Sequence, residues 1–160
     1  MDLEVARGDL ARVRALDDPP PALPAGGARC GADACALGPN TVSSAAFGDV
    51  PGYWDVFPAS PPDAGDDTVW GRIPVWGFAT VVESDCPDVA VGERLYGYLP
   101  MSTSVDLLPG RADPRSIVDT APHRAALASA YNRYVRVATD PIHREGRDEH
   151  QMLLYPLFFT

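Results

Sequence analysis

His143, Glu145, Asp148, Glu149 and His150 form the densest group of histidines and acids in the chain. Such side chains can ligate a metal, and a catalytic zinc needs three of them around an open position. These five lie in a charged stretch without a regular ligand spacing, so they read as a solvated face. Cys30, Cys35 and Cys86 include no CxxC pair. Cys30 and Cys35 are an odd number of residues apart, so on one continuous strand they face opposite ways and cannot bridge. The cysteines read as buried small hydrophobes. His123 and Arg124 follow a proline at a helix start, where an anion can be held; as first-turn surface polarity they need no ligand. Asn40 can hold a substrate oxygen through its side chain, or serve as an ordinary turn residue after Pro39. Tyr53, Trp54 and Phe57 can line an apolar pocket, or plug the layer beneath a loop.

The elements that must position these groups are mostly strands. Fourteen glycines and seventeen prolines in 160 residues favour short strands and many turns over a helical bundle. That length is one domain, able to bury a core without disulfides or metals. Residues 10–16 alternate, with Ala11, Val13 and Ala15 on one side and Arg12 and Arg14 on the other, which predicts a half-buried strand. A second strand is predicted over 28–36. The strongest signal is 73–83, opening at Pro74, where a missing N–H is tolerated. Gly77 within it marks a bulge or a close backbone approach. Residues 95–99 and 105–108 continue the sheet, and Pro109-Gly110 is expected to end it. Residues 40–54 read as a small-residue turn and then an aromatic loop, and 57–68 as an exposed excursion. Beyond Thr120, a capping residue with Pro122 in the first turn, Leu127, Ala130, Tyr131 and Tyr134 share one face at helical spacing. A helix is predicted there.

A net charge of −9 argues against nucleic acid or an anionic membrane as partner, because no basic patch would offset phosphate repulsion. Asp2 and Glu4 stand where a signal peptide would carry its apolar run, and no apolar segment approaches the ~20 residues of a membrane span. The expected compartment is the cytosol. Residues 152–160 are almost wholly apolar. Burial of such side chains gains roughly 1.5–3 kcal/mol each, so this stretch is expected to dock on its own core, a neighbouring domain or a second subunit.

Six segments carry a resemblance: ALGPNTVSSAAFGD, GYWDVFPAS, WGRIPVWGFATVVES, VGERLYGYLPM, APHRAALASAYNRYVRV and QMLLYPLFFT. Together they resemble the N-terminal, GroES-like part of the medium-chain dehydrogenase/reductase superfamily, and more narrowly a bacterial branch known only as a family of unknown function. The resemblance implies a mainly β fold with short helices, a GroES-like, partly open β-barrel over residues 1–140 without a Rossmann domain. Residues 141–160 would then be a charged linker and the apolar start of a dinucleotide-binding domain. It also implies hydride chemistry on carbonyl compounds, quinones or activated alkenes, with NAD(P)H in the cleft between two domains. Zinc-dependent relatives carry a cysteine near the position of Asn40 and a His-Glu pair before the glycine strand; neither is present, so the implied lineage is zinc-independent. Candidates for the substrate and cofactor cleft are Asn40, Thr41, Ser44, Tyr53, Trp54 and Thr160.

Two departures qualify the resemblance. Where the family pattern is Asn-Asn-x-Thr-Tyr, this chain has Asn40, Thr41, Val42, Ser43 and Ser44, so the second asparagine and the aromatic hydroxyl are replaced. No G-x-G-x-x-G follows a strand, and no acidic ribose partner follows it. The expected function is the substrate-domain half of a zinc-independent NAD(P)H-dependent oxidoreductase-like protein, inactive as this chain alone and not holding NAD(P)H tightly. The alternative is a non-catalytic binding module that oligomerises, or binds a partner chain, through residues 152–160. A small-molecule substrate is expected if the chain is active, and neither nucleic acid nor membrane.

Overall fold

The computed structural model describes residues 1–49, 52–154 and 156. The fold is mainly β, as expected: strands β1 Asp2–Ala6, β2 Asp9–Leu16, β3 Ala28–Ala36, β4 Trp70–Gly71, β5 Pro74–Ser84, β6 Arg94–Pro100, β7 Ser104–Leu107, β8 Pro109–Ala112, β9 Ser116–Asp119 and β10 Arg133–Arg136. Two short helices, α1 Pro39–Ala46 and α2 Asp148–Leu154, lie outside them. Seven strands form one sheet in the order β7-β3-β5-β6-β10-β9-β8, and a second sheet has the order β2-β1-β4. Every paired neighbour is antiparallel.

The larger sheet is a nearly closed barrel, and Leu108 shows why. β7 and β8 are its two edges, yet only Leu108 separates them in the chain. The chain therefore crosses from one edge to the other within a residue. Leu108 is held at this corner by its N–H, which donates to Asp119 Oδ1 at 3.0 Å, and by its carbonyl, which accepts from the Thr120 N–H at 2.9 Å. Pro109-Gly110 was expected to end the sheet; instead it opens β8. A proline at the first position of an edge strand forfeits no ladder bond.

The barrel interior comes from alternate side chains. Val75, Val81, Leu95, Leu99 and Ile117 are at most 1% exposed, and each contributes roughly 1.5–3 kcal/mol of transfer free energy. Gly77 is the expected close approach: a Cβ there would lie 2.3 Å from the Ala34 carbonyl oxygen. The irregularity sits on the partner strand, where β3 shifts register between Ala32 and Ala34. That shift accompanies the loss of cover along β3. Cys30 is buried, Cys35 exposed and Cys86 half-buried, so the buried-hydrophobe reading holds for Cys30 alone.

Two local readings are corrected. Residues 39–46 form α1 rather than a turn, because Pro39 is pre-set for a first helical turn and no residue after it breaks the helix. The helix expected after Thr120 is replaced by 3₁₀ turns at Pro122–Arg124 and Ser129–Asn132, followed by β10. There Tyr134 and Val135 take ladder positions opposite Ile117 and Tyr96. Non-local pairing on both sides of β10 outweighs a weak local helical period. Among the described residues no helix is long and apolar enough to cross a membrane.

A neutral aromatic cleft as candidate functional site

A cleft of about 300 Å³ opens between α1, the outer face of β5 and β6, the 3₁₀ turn Tyr53–Asp55, Tyr131 and α2. Its floor follows from strand register. Trp76 lies opposite Tyr98, Gly77 opposite Gly97, and Phe78 opposite Tyr96. Two aromatic-Gly-aromatic triplets are thus superposed, with the aromatics outside the barrel. On the inner side, a Cβ at Gly97 would lie 2.5 Å from the Tyr134 ring. Trp76 and Tyr98 rings are 5.0 Å apart, and the Tyr131 ring lies tilted against Tyr98, at 4.9 Å and 37°. Tyr53 meets Tyr131 edge-on, at 5.6 Å and 83°.

The hydroxyls of this wall carry its chemistry. Tyr53 Oη and Tyr131 Oη are 2.9 Å apart, and among the described residues neither has another hydrogen-bond partner. One O–H donates to its neighbour, which leaves the other O–H able to donate into the cleft. Burial, then the Tyr53 hydrogen bond, pushes the Tyr131 phenol up to about 12. Burial pushes Tyr98 well above the ordinary phenol value, with the neighbouring Ser44 hydroxyl acting the other way. Both stay protonated, hence able to donate, across the neutral range. The α1 hydroxyls are largely spent on their own helix: Ser44 Oγ donates to the Asn40 carbonyl at 2.8 Å, Ser43 Oγ to the Pro39 carbonyl at 3.1 Å. Thr41 Oγ1 accepts from the Gly38 N–H at 3.2 Å. The two serine bonds are the back-bonding of helix interiors, and the Thr41 bond satisfies the N-cap N–H at the helix start.

No arginine, histidine or carboxylate lines the cleft among the described residues. It suits a flat, uncharged group that presents an acceptor oxygen. Of the six residues expected at such a cleft, Asn40, Thr41, Ser44 and Tyr53 come together in its lining. Trp54 does not line it. It is 2% exposed, so close to Gly48 and Gly71 that a Cβ on either would fall 2.4 Å from its ring, and Arg7 stacks on it at 5.3 Å. Trp54 is the hydrophobic plug. Thr160 lies outside the described residues. Trp76, Tyr98 and Tyr131 were missed as a site. The paired WGF and YGY triplets were the available signal, and using it required knowing that these strands pair in register.

The remaining candidates fall elsewhere. His143 Nδ1 lies 3.0 Å from Gln151 Oε1, its ring edge against Phe78 at 5.7 Å. Among the described residues no three His, Cys, Asp or Glu side chains converge as metal ligands. Arg124 is neither a surface residue nor an anion contact. It is 0% exposed, donates to Asp119 Oδ2 at 2.6 Å and Tyr134 Oη at 2.8 Å, and lies over Phe57 at 4.8 Å. Its Nη2 donates to the Tyr131 carbonyl at 3.0 Å, while Tyr134 Oη donates to the Tyr98 carbonyl at 2.6 Å. Arg124 therefore positions two of the three aromatic walls from inside the barrel.

Fold and site together define a β domain with a nearly closed barrel sheet and a neutral aromatic cleft. Residues 35–160 match the family described as "Protein of unknown function (DUF2855)", and the chain belongs to that family. All the described residues lining the cleft, from Ala36 to Pro156, fall inside the matched region. No curated protein matches the chain.

Proposed function

We propose that this chain is a GroES-like substrate domain of a zinc-independent oxidoreductase lineage, working in the cytosol, and that the aromatic cleft takes a flat carbonyl-bearing small molecule. The observation that carries this reading is the Tyr53–Tyr131 hydroxyl pair, an O–H donor set in an aromatic, uncharged wall. A carbonyl oxygen placed there accepts a hydrogen bond from a neutral phenol, while Trp76 and Tyr98 hold the ring and exclude water.

The resemblance implies NAD(P)H, and the residues present do not fit the whole dinucleotide. A pyrophosphate wants backbone N–H groups at a glycine-rich helix start or cationic side chains. Among the described residues the cleft lining provides no cation, and the sequence has no G-x-G-x-x-G.

The test combines turnover and binding. The purified chain, mixed with NADPH and a panel of quinones and enones, is expected to leave the reduced-nicotinamide absorbance unchanged. A cyclic enone is expected to quench tryptophan fluorescence saturably, with affinity about tenfold weaker in Tyr131→Phe, the loss of one hydrogen bond to a buried acceptor. Steady cofactor consumption by the clean chain overturns the substrate-domain reading, and equal quenching in both proteins overturns the role of the hydroxyl pair.

A second reading is favoured by Leu153 and Leu154, each 51% exposed on α2 although their neighbour Met152 is buried. It is a non-catalytic module that meets a second copy or a partner chain through this end. Light scattering separates the two readings, since a monodisperse monomer leaves the self-association form of this one without support.

A further inference from the structure

On the outer face of β8, β9 and β10 lies a second groove, of about 580 Å³. Arg111, Arg115 and Arg133 line it, from β8, the β8–β9 turn and β10. Register fixes two of them: Arg111 and Arg133 both lie opposite Val118, one on each side. Their backbones are two strand spacings apart, about 10 Å, a span across which two guanidinium arms can meet on one group. Arg115 follows from the turn that Asp113 holds by accepting from the N–H groups of Arg115 and Ser116, each at 2.8 Å.

The charge economy of the chain makes this cluster stand out. All thirteen of its basic residues are arginine. Eight make an ion pair. Among the described residues the other five, Arg111, Arg115, Arg133, Arg144 and Arg147, make none although the chain carries a net charge of −9, and three of these five line this one groove. Of the two carboxylates at the groove, Asp113 holds its own turn and its charge offsets Arg133 in part, while Asp140 is engaged elsewhere, accepting from the Ile142 N–H at 2.9 Å and Gln151 Nε2 at 2.8 Å. Three like charges gathered on one face repel unless an anion joins them, and arginine forks match phosphoryl and carboxylate oxygens in paired hydrogen bonds. The volume lies within the usual range for small-molecule sites, about 300–1,000 Å³.

We propose that this groove binds a small dianionic oxyanion, a phosphoryl group or a pair of carboxylates, through Arg111, Arg115 and Arg133. The groove shares Trp76 with the uncharged cleft, but its arginines lie outside that cleft and the proposal does not depend on the oxidoreductase reading. The test is titration of the isotope-labelled chain with inorganic pyrophosphate and, separately, with succinate, at constant ionic strength. Saturable amide shifts are expected at residues 111–118 and 129–140 with at least one of them; the one that binds identifies the oxyanion. Binding is expected to weaken about tenfold in Arg133→Gln and in Arg111→Gln, the loss of one charge-assisted contact. Arg147→Gln, an exposed arginine that does not line the groove, is expected to match the unaltered chain. All of these substitutions are at exposed positions, and a retained dispersed spectrum checks folding. No saturable shift with either anion overturns the proposal, as does equal weakening in Arg147→Gln.

Discussion

Arg124 in the barrel and Glu4 in the small sheet are both 0% exposed, but their partners stand in different surroundings. The Asp119 side chain that meets Arg124 is 1% exposed. The Arg14 and Arg72 side chains that meet Glu4 are 12% and 19% exposed. One ion pair is sealed; the other is a network with an outlet to water. The surroundings differ to match. The barrel has an apolar interior closed around Tyr134, whereas β2 is exposed along most of its length. β2 is tied to its neighbours by Arg14 on Glu4 and by Arg12 and Arg14 stacked on Trp70, at 5.2 and 4.4 Å. A charge sealed in an apolar wall is all-or-none, because a broken pair strands its partner without solvent. A charge in a vented network can be shed by degrees.

The largest effect should come from Asp119→Ala. It strands Arg124 and also removes the acceptor for the Leu108 and Ala121 N–H groups, so a loss of about 3–5 kcal/mol is expected in denaturant unfolding. A loss below about 1 kcal/mol would mean the sealed pair can reach water, and the contrast with Glu4 would vanish.

Glu4→Ala should cost less, about 1–3 kcal/mol, since both arginines can turn to solvent while only the Ser60 N–H loses its acceptor. Hydrogen exchange should show the β1–β2 amides opening first and the barrel amides unchanged. Equal destabilisation of both regions would join them into one cooperative unit.

The same residue sets an acid limb. Burial alone would raise the Glu4 pKa, but the Ser60 N–H, Arg14 and Arg72 together hold it below the ordinary glutamate value of 4.5. A carboxyl lowered on folding contributes stability that is fully present above the ordinary value and is lost as pH falls through its lower folded value. Protection of the β1 amides should therefore decline below pH 4.5, and Glu4→Gln should flatten that decline. An unchanged limb in the variant would assign it to other carboxyls.

The smallest effect is expected at α2. Arg94 Nη2 donates to Asp148 Oδ2 at 2.8 Å, with side chains 32% and 29% exposed. Asp148→Asn should cost about 0.5 kcal/mol, the scale of a surface pair. It should be visible as faster exchange at Gln151 and Met152 alone. A global shift in midpoint would show that α2 is part of the barrel's cooperative fold.

Strands β3, β5 and β6 were legible because their apolar alternation and flanking turns are local signals, as was the tight fit at Gly77. β8, β9 and β10 were not, because Pro109-Gly110 reads as a stop, Leu127, Ala130, Tyr131 and Tyr134 also fit a helical spacing, and the pairing that makes these strands is non-local. Arg124 was misread for a related reason. Nothing within a few residues of it shows that Asp119 and Tyr134 will close around it. In the cleft, Asn40, Thr41, Ser44 and Tyr53 were reached through the resemblance, while Tyr131 reads as part of a helix face and Trp76 and Tyr98 only as members of predicted strands.

The sequence by itself determined the mainly β class, the principal strands, the acidic balance and membership of a family that spans residues 35–160. Those follow from composition, local period and turn chemistry, which act over a few residues. Only the tertiary structure decided that the sheet closes at Leu108, that an arginine is sealed inside it, and that four aromatic rings meet in an uncharged cleft. Each of these depends on pairs far apart in the chain, such as Tyr53 with Tyr131 and Trp76 with Tyr98, whose meeting is fixed by strand register and the path of the chain around the barrel.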